Sequence, residues 1–302
     1  MNKFLKRLKD IVEPEYTSKN FKNKTISKLF FFWLCLRHFV RIILSFLNIY
    51  IVVPMLEITI TSKCSLKCKN CISLIPLYKN PSDMDTETNI KSLTAMLDAV
   101  DQVNKLSILG GEPFLNNDLY KIINVVAPYD NVKCIIITTN GTIIPEGTEL
   151  INSLKNNKVI VRISYYGKIS KYTDEIIKLC KDNNIRYELR FLKEMWWSPG
   201  SIEKRHKNIK QLKKQYSNCP ASRCNNIIDG NLHHCSRSSN GMYLGIIPDE
   251  PKDYLNILQN YKKKTFRKEI INFLFRDQDY ITACDYCDLA TDECFDVIPG
   301  EQ

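Results

Sequence analysis

Between Met55 and Leu192, strand-like runs alternate five times with helix-like stretches. The strand runs are Met55–Thr61, Lys105–Leu109, Val132–Gly141, Lys158–Gly167 and Ile185–Leu192. Asp85–Val100, Asp118–Ala127, Glu146–Asn156 and Lys171–Asp182 carry the helical pattern. Such alternation implies right-handed crossovers and parallel pairing, so an α/β fold is expected. Ligands bind such sheets at the carboxyl ends of the strands. That edge is where the unusual residues fall: three cysteines after the first strand, then Gly-Gly-Glu-Pro, Thr-Thr-Asn-Gly and Ser-Tyr-Tyr-Gly after the next three. After Arg205 the alternation stops and a cysteine-rich segment begins. Three regions are therefore expected: 1–54, 55–205 and 206–302.

A chain of 302 residues can bury one large core and carry an appended module. The apolar run from Leu29 has no short basic segment or small-residue cleavage site, so no removable signal is read. Twelve cysteines in such a chain point to metal binding or catalysis in a reducing, cytoplasmic setting. Residues 1–50 hold ten Lys/Arg against three acids, which is +7 of the formal +10 and leaves +3 for the rest. The body is close to neutral, and nothing argues for a nucleic-acid partner.

Region 1–54 contains the apolar stretch Lys28–Pro54. As a helix it aligns Arg37, Arg41, Ser45 and Asn48 in a narrow polar stripe. A spanning helix needs about 20 apolar residues. Here the uncharged run after Arg41 is only Ile42–Val53, and a central Arg costs roughly 2.5–3.5 kcal/mol. Two readings stand: a helix docked on the body, or an interfacial helix at the inner face of an anionic membrane.

The loop after the first strand reads Cys64-Ser-Leu-Lys-Cys68-Lys-Asn-Cys71. Structural zinc wants four ligands, usually in two pairs. A cubane cluster has four irons, so three thiolates leave one iron open to a small molecule. This CxxxCxxC loop after a first strand resembles the signature of the radical S-adenosylmethionine (SAM) superfamily. The resemblance spans about residues 55–295 and implies a partial (β/α)6-type TIM barrel. It implies a [4Fe–4S] cluster on Cys64, Cys68 and Cys71, with SAM chelating the open iron. One electron then cleaves SAM and yields a 5′-deoxyadenosyl radical that abstracts a substrate hydrogen. It also implies a reductant such as flavodoxin or ferredoxin. The turn Gly110-Gly111-Glu112-Pro113 sits where the family meets the SAM amino group, with glycines for close approach, Glu112 as acceptor and proline as stiffener. Thr139, Asn140 and Ser164 fall where members contact the ribose or carboxylate, although such residues in loops are also ordinary turn formers. Many members place an aromatic before the third cysteine; here it is Asn70.

The second set is Cys219, Cys224, Cys235, Cys284, Cys287 and Cys294. Cys224 to Cys235 reads as a β-hairpin turning at Asp229-Gly230. The set resembles the SPASM/Twitch modules that hold auxiliary [4Fe–4S] clusters, in the single-cluster form. That resemblance suggests Cys224, Cys235, Cys284 and Cys287 as ligands, with Cys219 as the alternate and Cys294 less favoured; a zinc ribbon is the competing assignment. Cys134 and Cys180 read as core. His206, His233 and His234 have no motif context and read as surface or hairpin side chains.

Region 1–54 is too short and apolar for a peptide-leader domain, which favours a small polar substrate, a sugar or polyol, free or lipid-linked. The expected outcome is oxidation or epimerisation. A radical SAM maturase acting on a peptide or activating a protein partner is the alternative, and a degenerate iron–sulfur scaffold is the non-enzymatic one. Candidate substrate residues are Tyr165, Tyr166, Arg190 and Trp196, with Trp197 beside it; tryptophans in such loops also simply close barrels.

Overall fold

The computed structural model describes residues 8, 10–12, 24–47, 49–191, 196–275 and 279–302. Leu192 and Asn48, which end the expected fifth strand and the polar stripe, lie outside the described residues.

Two helices come first, α1 (Lys24–Arg37) and α2 (Phe39–Phe46). The alternating unit follows: β1 (Val52–Thr59), α3 (Thr86–Ala99), β2 (Gln102–Leu109), α4 (Leu119–Val126), β3 (Ile135–Thr139), α5 (Thr148–Leu154), β4 (Val159–Tyr165), α6 (Thr173–Asp182) and β5 (Tyr187–Phe191). All five expected strands are present, in adjacent order and parallel. Helix ends follow local chemistry. Asp85 caps α3 by accepting the Thr88 amide at 2.7 Å, which satisfies one of the orphan N–H groups of the first turn.

Strand alternation divides the sheet into two faces. Leu56, Ile58, Leu106, Ile108, Ile137 and Val161 point toward the helices and form the main core with Leu93, Met96, Leu119 and Ile122. The intervening residues turn to the inner face: Glu57 and Thr59 on β1, Ser107 on β2, Arg162 and Ser164 on β4, Glu188 and Arg190 on β5. Ile136 and Ile160 share this face in register, but most of it is polar or charged, so it is not a second dry core.

After the barrel-like unit come β6 (Trp196–Trp197), α7 (Ile209–Asn218), β7 (Asn225–Ile228), β8 (Asn231–His233), α8 (Ser236–Tyr243), β9 (Tyr254–Asn256), α9 (Ile257–Asn260), α10 (Phe266–Phe275) and β10 (Asp296–Val297). β7 and β8 form the expected hairpin. Asp229 and Gly230 both have positive φ, 45° and 76°, as a two-residue hairpin turn requires. The hairpin joins the main sheet: β7 pairs in parallel with β1, and β8 and β9 continue antiparallel, giving the order β5-β4-β3-β2-β1-β7-β8-β9. The sixth parallel strand thus lies on the β1 edge, and the sheet runs unbroken across the expected boundary at residue 205. The inner-face chemistry of β1 is thereby brought against the cysteine-rich segment.

His233 and His234 are buried, which corrects the surface reading and keeps the hairpin one. His234 stacks on Phe273 at 4.1 Å, and burial holds the His233 imidazole down at about 3. The His233 ring lies 5.3 Å from that of Tyr254. Cys180 is buried in the core as expected, and Cys134 is half-buried.

Candidate active site

The loop that leaves β1 is pinned on both sides. The β1–β2 ladder continues into it: the Gly111 amide donates to the Thr61 carbonyl at 2.9 Å and the Glu112 amide to Lys63 at 2.8 Å. A Cβ on Gly110 would stand 2.2 Å from the Thr61 oxygen, and one on Gly111 2.1 Å from the Lys63 oxygen. The two glycines are therefore required for the approach of β2 to the cysteine loop itself. On the other side Thr61 Oγ1 donates to Asp83 at 2.7 Å and Lys63 Nζ pairs with it at 2.8 Å.

Cys64, Cys68 and Cys71 lie within electrostatic reach of one another. Burial pushes the Cys64 thiol up to about 12 and raises the other two. Each sulfur nevertheless faces amide donors. Leu66 N and Asn140 Nδ2 approach Cys64 Sγ at 3.4 and 3.8 Å, and Gln302 Nε2 approaches Cys68 at 3.6 Å. The amides of Ser73, Leu74 and Ile75 serve Cys71. Amide donors favour a thiolate, while burial disfavours one that lacks a positive partner. Three thiols with this surrounding suit a cationic iron–sulfur core, which supplies the charge that burial demands.

Glu112 is fully buried. One carboxylate oxygen accepts from the Asn140 amide at 2.8 Å and the other from Phe114 at 3.3 Å; burial still pushes its carboxyl up to about 7. It is a strut joining the Gly-Gly-Glu-Pro turn to the Thr-Thr-Asn-Gly turn, and Pro113 opens the single 3-10 turn that follows it. Thr139 is buried beneath, and its hydroxyl accepts from Gly141 N at 3.2 Å. Asn140 bridges the loops, donating to Ser65 at 3.1 Å and accepting from the Thr142 amide at 3.0 Å.

Ser164 and Tyr166 end β4 over the same edge. The Tyr166 phenol shares a hydrogen bond with the Ser164 side chain, burial raises its pKa, and the three loop cysteines raise it further. Of the tyrosine pair, Tyr166 faces the cysteines and packs edge-on against Trp196 at 5.5 Å, whereas Tyr165 packs on Phe191 at 5.6 Å. Trp197 and Arg190 are exposed. Asn70 accepts from Ser198 Oγ at 3.0 Å, so it ties the loop to the segment after Trp197.

A second thiol pocket is lined by Cys219, Cys235, Cys284 and Cys287, with Ile72 from the first loop on its wall. Cys219 ends α7, Cys235 caps α8, Cys284 lies within the 3-10 turn at Thr282–Tyr286 and Cys287 caps its end. Cys224 and Cys294 are not among the lining residues. Cys219, the alternate of the sequence reading, thus lines the pocket and Cys224 does not. The reason is local: Cys219 stops a helix and turns inward, whereas Cys224 is carried toward the start of β7. Among the described residues no three His, Cys, Asp or Glu converge closely enough to hold a single metal ion.

Residues with no sequence signal surround this pocket. Arg237 is buried and donates to the Tyr286 carbonyl at 2.8 Å and the Ser201 carbonyl at 2.7 Å. Gln215 Nε2 donates to the Cys287 carbonyl at 2.7 Å, and Lys207 Nζ donates to the Cys284 carbonyl at 3.2 Å. Arg237 and Lys207 oppose the burial of the Cys287 thiol. Glu57 was likewise unseen. Ser236, next to Cys235, donates to it at 2.9 Å, and burial raises its carboxyl to about 7. An isolated acid in a strand is ordinary in sequence; its burial shows only in the fold.

Residues 58–227 match the Radical SAM superfamily, more than half of the chain. The chain belongs to that superfamily, whose cofactors are SAM and a [4Fe–4S] cluster. It is 29% identical over 140 residues to a GTP 3′,8-cyclase of Clostridium acetobutylicum, covering 42% of this chain and 43% of that protein. It is 26% identical over 174 residues to the Aquifex aeolicus GTP 3′,8-cyclase, covering 46% and 53%. The chain thus spans about half the length of the curated relatives it matches. Among solved structures, BtrN in complex with AdoMet and 2-DOIA aligns over 81% of this chain and 97% of that one at TM-score 0.46 and 18% identity.

Proposed function

We propose that this chain is a radical SAM enzyme that abstracts hydrogen from a small polar, hydroxylated substrate, with oxidation or epimerisation as outcome. The observation that carries the reading is the three-thiol loop opening beside a polar inner sheet face. The bound cofactors supply a 5′-deoxyadenosyl radical. The chain's residues set what that radical meets. Cys64, Cys68 and Cys71 hold the cluster, the Glu112 strut fixes the two adjoining turns, and Asn140 and Ser164 offer polar groups at the same edge. Arg162 and Glu188, paired at 2.9 Å, and Arg190 present charge across the inner face. Such groups suit hydroxyls or a phosphate better than an apolar side chain. In such an oxidation hydrogen abstraction removes one electron, the second would pass to the auxiliary cluster proposed below, and the hydroxyl proton goes to a base; Glu57 is the buried carboxylate of that face able to take one near neutrality.

Cys219, Cys235, Cys284 and Cys287 are the proposed ligands of an auxiliary [4Fe–4S] cluster, and a flavodoxin or ferredoxin is the proposed electron donor. The test is a screen of deuterated sugars and polyols for label transfer into 5′-deoxyadenosine. A GTP arm covers the activity of the relatives, and a peptide arm covers the maturase alternative. Label from a sugar or polyol supports the reading; label from a peptide alone, or from GTP alone, overturns the substrate class.

A further inference from the structure

Helices α1 and α2 bury one stripe, and through Ile42 it reaches β1. Leu34, His38, Ile42 and Ser45, at i, i+4, i+8 and i+11, are buried, and Ile42 packs with Ile11 and Val52. Another row runs from Leu29 through Trp33, Leu36, Val40 and Ile43 to Leu47. Its alternating steps of four and three residues keep it on one face. Phe32 and Phe39 widen it. These eight side chains are 42–66% exposed. Monomeric soluble proteins seldom leave so long an apolar strip in water.

The charge carried by these two helices has one sign. Lys24, Lys28, Arg37 and Arg41 lie in these helices, and no Asp or Glu occurs between Tyr16 and Leu56. The Arg37 guanidinium stands 5.4 Å from the Trp33 ring centre, which holds it close to the apolar row, and that of Arg41 stands 5.8 Å from Tyr50, beside the buried stripe. A second copy docked strip to strip would set cations against cations, the reverse of the paired charges that flank a coiled-coil seam. Anionic headgroups supply the complementary charge, and the interfacial zone takes up the apolar row. No helix among the described residues is long and apolar enough to cross a membrane. We propose that α1–α2 is an in-plane binding face that seats the protein on an anionic bilayer.

The fold sets the orientation. α2 leads into the amino end of β1, where the Ile51 amide donates to Asp101 at 2.7 Å and Arg267 donates to the Ile49 carbonyl at 2.6 Å. The cysteine loop leaves the other end of β1, about 25 Å away at strand rise. The bilayer therefore lies under the amino edge of the sheet, and the thiol loop faces the aqueous side. A substrate on a lipid carrier has to span that height; a free polar one does not. This inference is independent of the chemistry proposed above.

The test sediments anaerobic full-length holoprotein with vesicles of phosphatidylcholine alone or with about 30% phosphatidylglycerol. Preferential binding to the anionic vesicles is expected at low salt, falling about ten-fold in high salt. The double variant Leu36→Glu/Val40→Glu should bind about ten-fold more weakly or less, with unchanged iron content and circular dichroism. Brominated lipid should quench the wild-type tryptophan emission, and Trp33→Phe should abolish that quenched component, which keeps the test sound should the double variant misfold. Equal binding to both vesicles, a folded double variant that binds like wild type, or quenching unchanged in Trp33→Phe would overturn the proposal. So would a vesicle-free dimer that only the double variant dissolves, since the strip would then belong to a second copy.

Discussion

The two thiol sets differ in how they are built. Cys64, Cys68 and Cys71 come from one loop of eight residues, and polar turns from three strands crowd the loop. Cys219, Cys235, Cys284 and Cys287 come from a helix end, a helix start and a distant turn, and line a pocket together. Three ligands leave an iron of a cubane for another molecule; four close it. The first arrangement suits ligand exchange at an accessible strand edge. The second suits a cluster that stores or passes electrons without changing its ligands. Lys207 and Arg237 fit that contrast, because a closed four-thiolate cluster in a buried pocket concentrates negative charge.

The contrast breaks most visibly in metal content. Reconstituted protein should carry about eight irons in two cubanes, and Ala at Cys64, Cys68 and Cys71 together should leave about four. A wild-type count near four with bound zinc would remove the second cluster and put zinc in the rear pocket.

A sharper division concerns Cys219 and Cys224. Cys219→Ser should lower iron toward half and abolish substrate turnover while SAM cleavage persists. Cys224→Ser should keep near wild-type iron and turnover. The reverse pattern would restore Cys224 as ligand and show that the α7 end is displaced when a cluster binds.

The loop can also be disturbed without touching sulfur. Gly111→Ala places a methyl 2.1 Å from the Lys63 oxygen, a backbone atom that cannot move without the loop. A loss of roughly 1–3 kcal/mol of stability is expected from overpacking beside a fixed backbone. Urea denaturation beside iron counting measures it; a stable variant with a full cluster would mean that the β2 turn is free of the loop.

The smallest effect is a pH dependence. The Glu57 carboxyl stands at about 7 when folded, against an ordinary 4.5, because burial penalises its charge. Unfolding releases its proton in that window. Its contribution to stability is therefore complete below the ordinary value and is lost as pH rises through the folded one, by up to about 1.4 kcal/mol per pH unit. Glu57→Gln should flatten that decline between the two values in denaturation series. An unchanged slope would mean that Glu57 is not the group responsible.

What the sequence disclosed follows the same divide. The five strands, their parallel order and the hairpin turn at Asp229-Gly230 were legible because each rests on local pattern. So was the loop of Cys64, Cys68 and Cys71, since its three sulfurs are neighbours in the chain. The attachment of β7 to β1 was not, because parallel pairing between distant segments leaves no local mark. Hence Glu57 meeting Ser236 left no mark in the sequence, and the sequence ranks Cys219, which lines the second thiol pocket, only as an alternate to Cys224. The role of Gly110 and Gly111 was half legible: close approach was expected, but the partner is the backbone of Thr61 and Lys63. The choice between docked and interfacial readings of the first helices could not be made from periodicity, and the helices in fact combine a docked stripe with an exposed apolar row.

The central claim is that the three-thiol loop holds a cluster with one place open to SAM. Its most direct test is the release of 5′-deoxyadenosine, followed by mass spectrometry after dithionite reduction of the anaerobic holoprotein with SAM and no substrate. Slow, iron-dependent release that vanishes when Cys64, Cys68 and Cys71 are all Ala is the predicted result. No release from fully loaded protein, or release that survives in the triple variant, would contradict it.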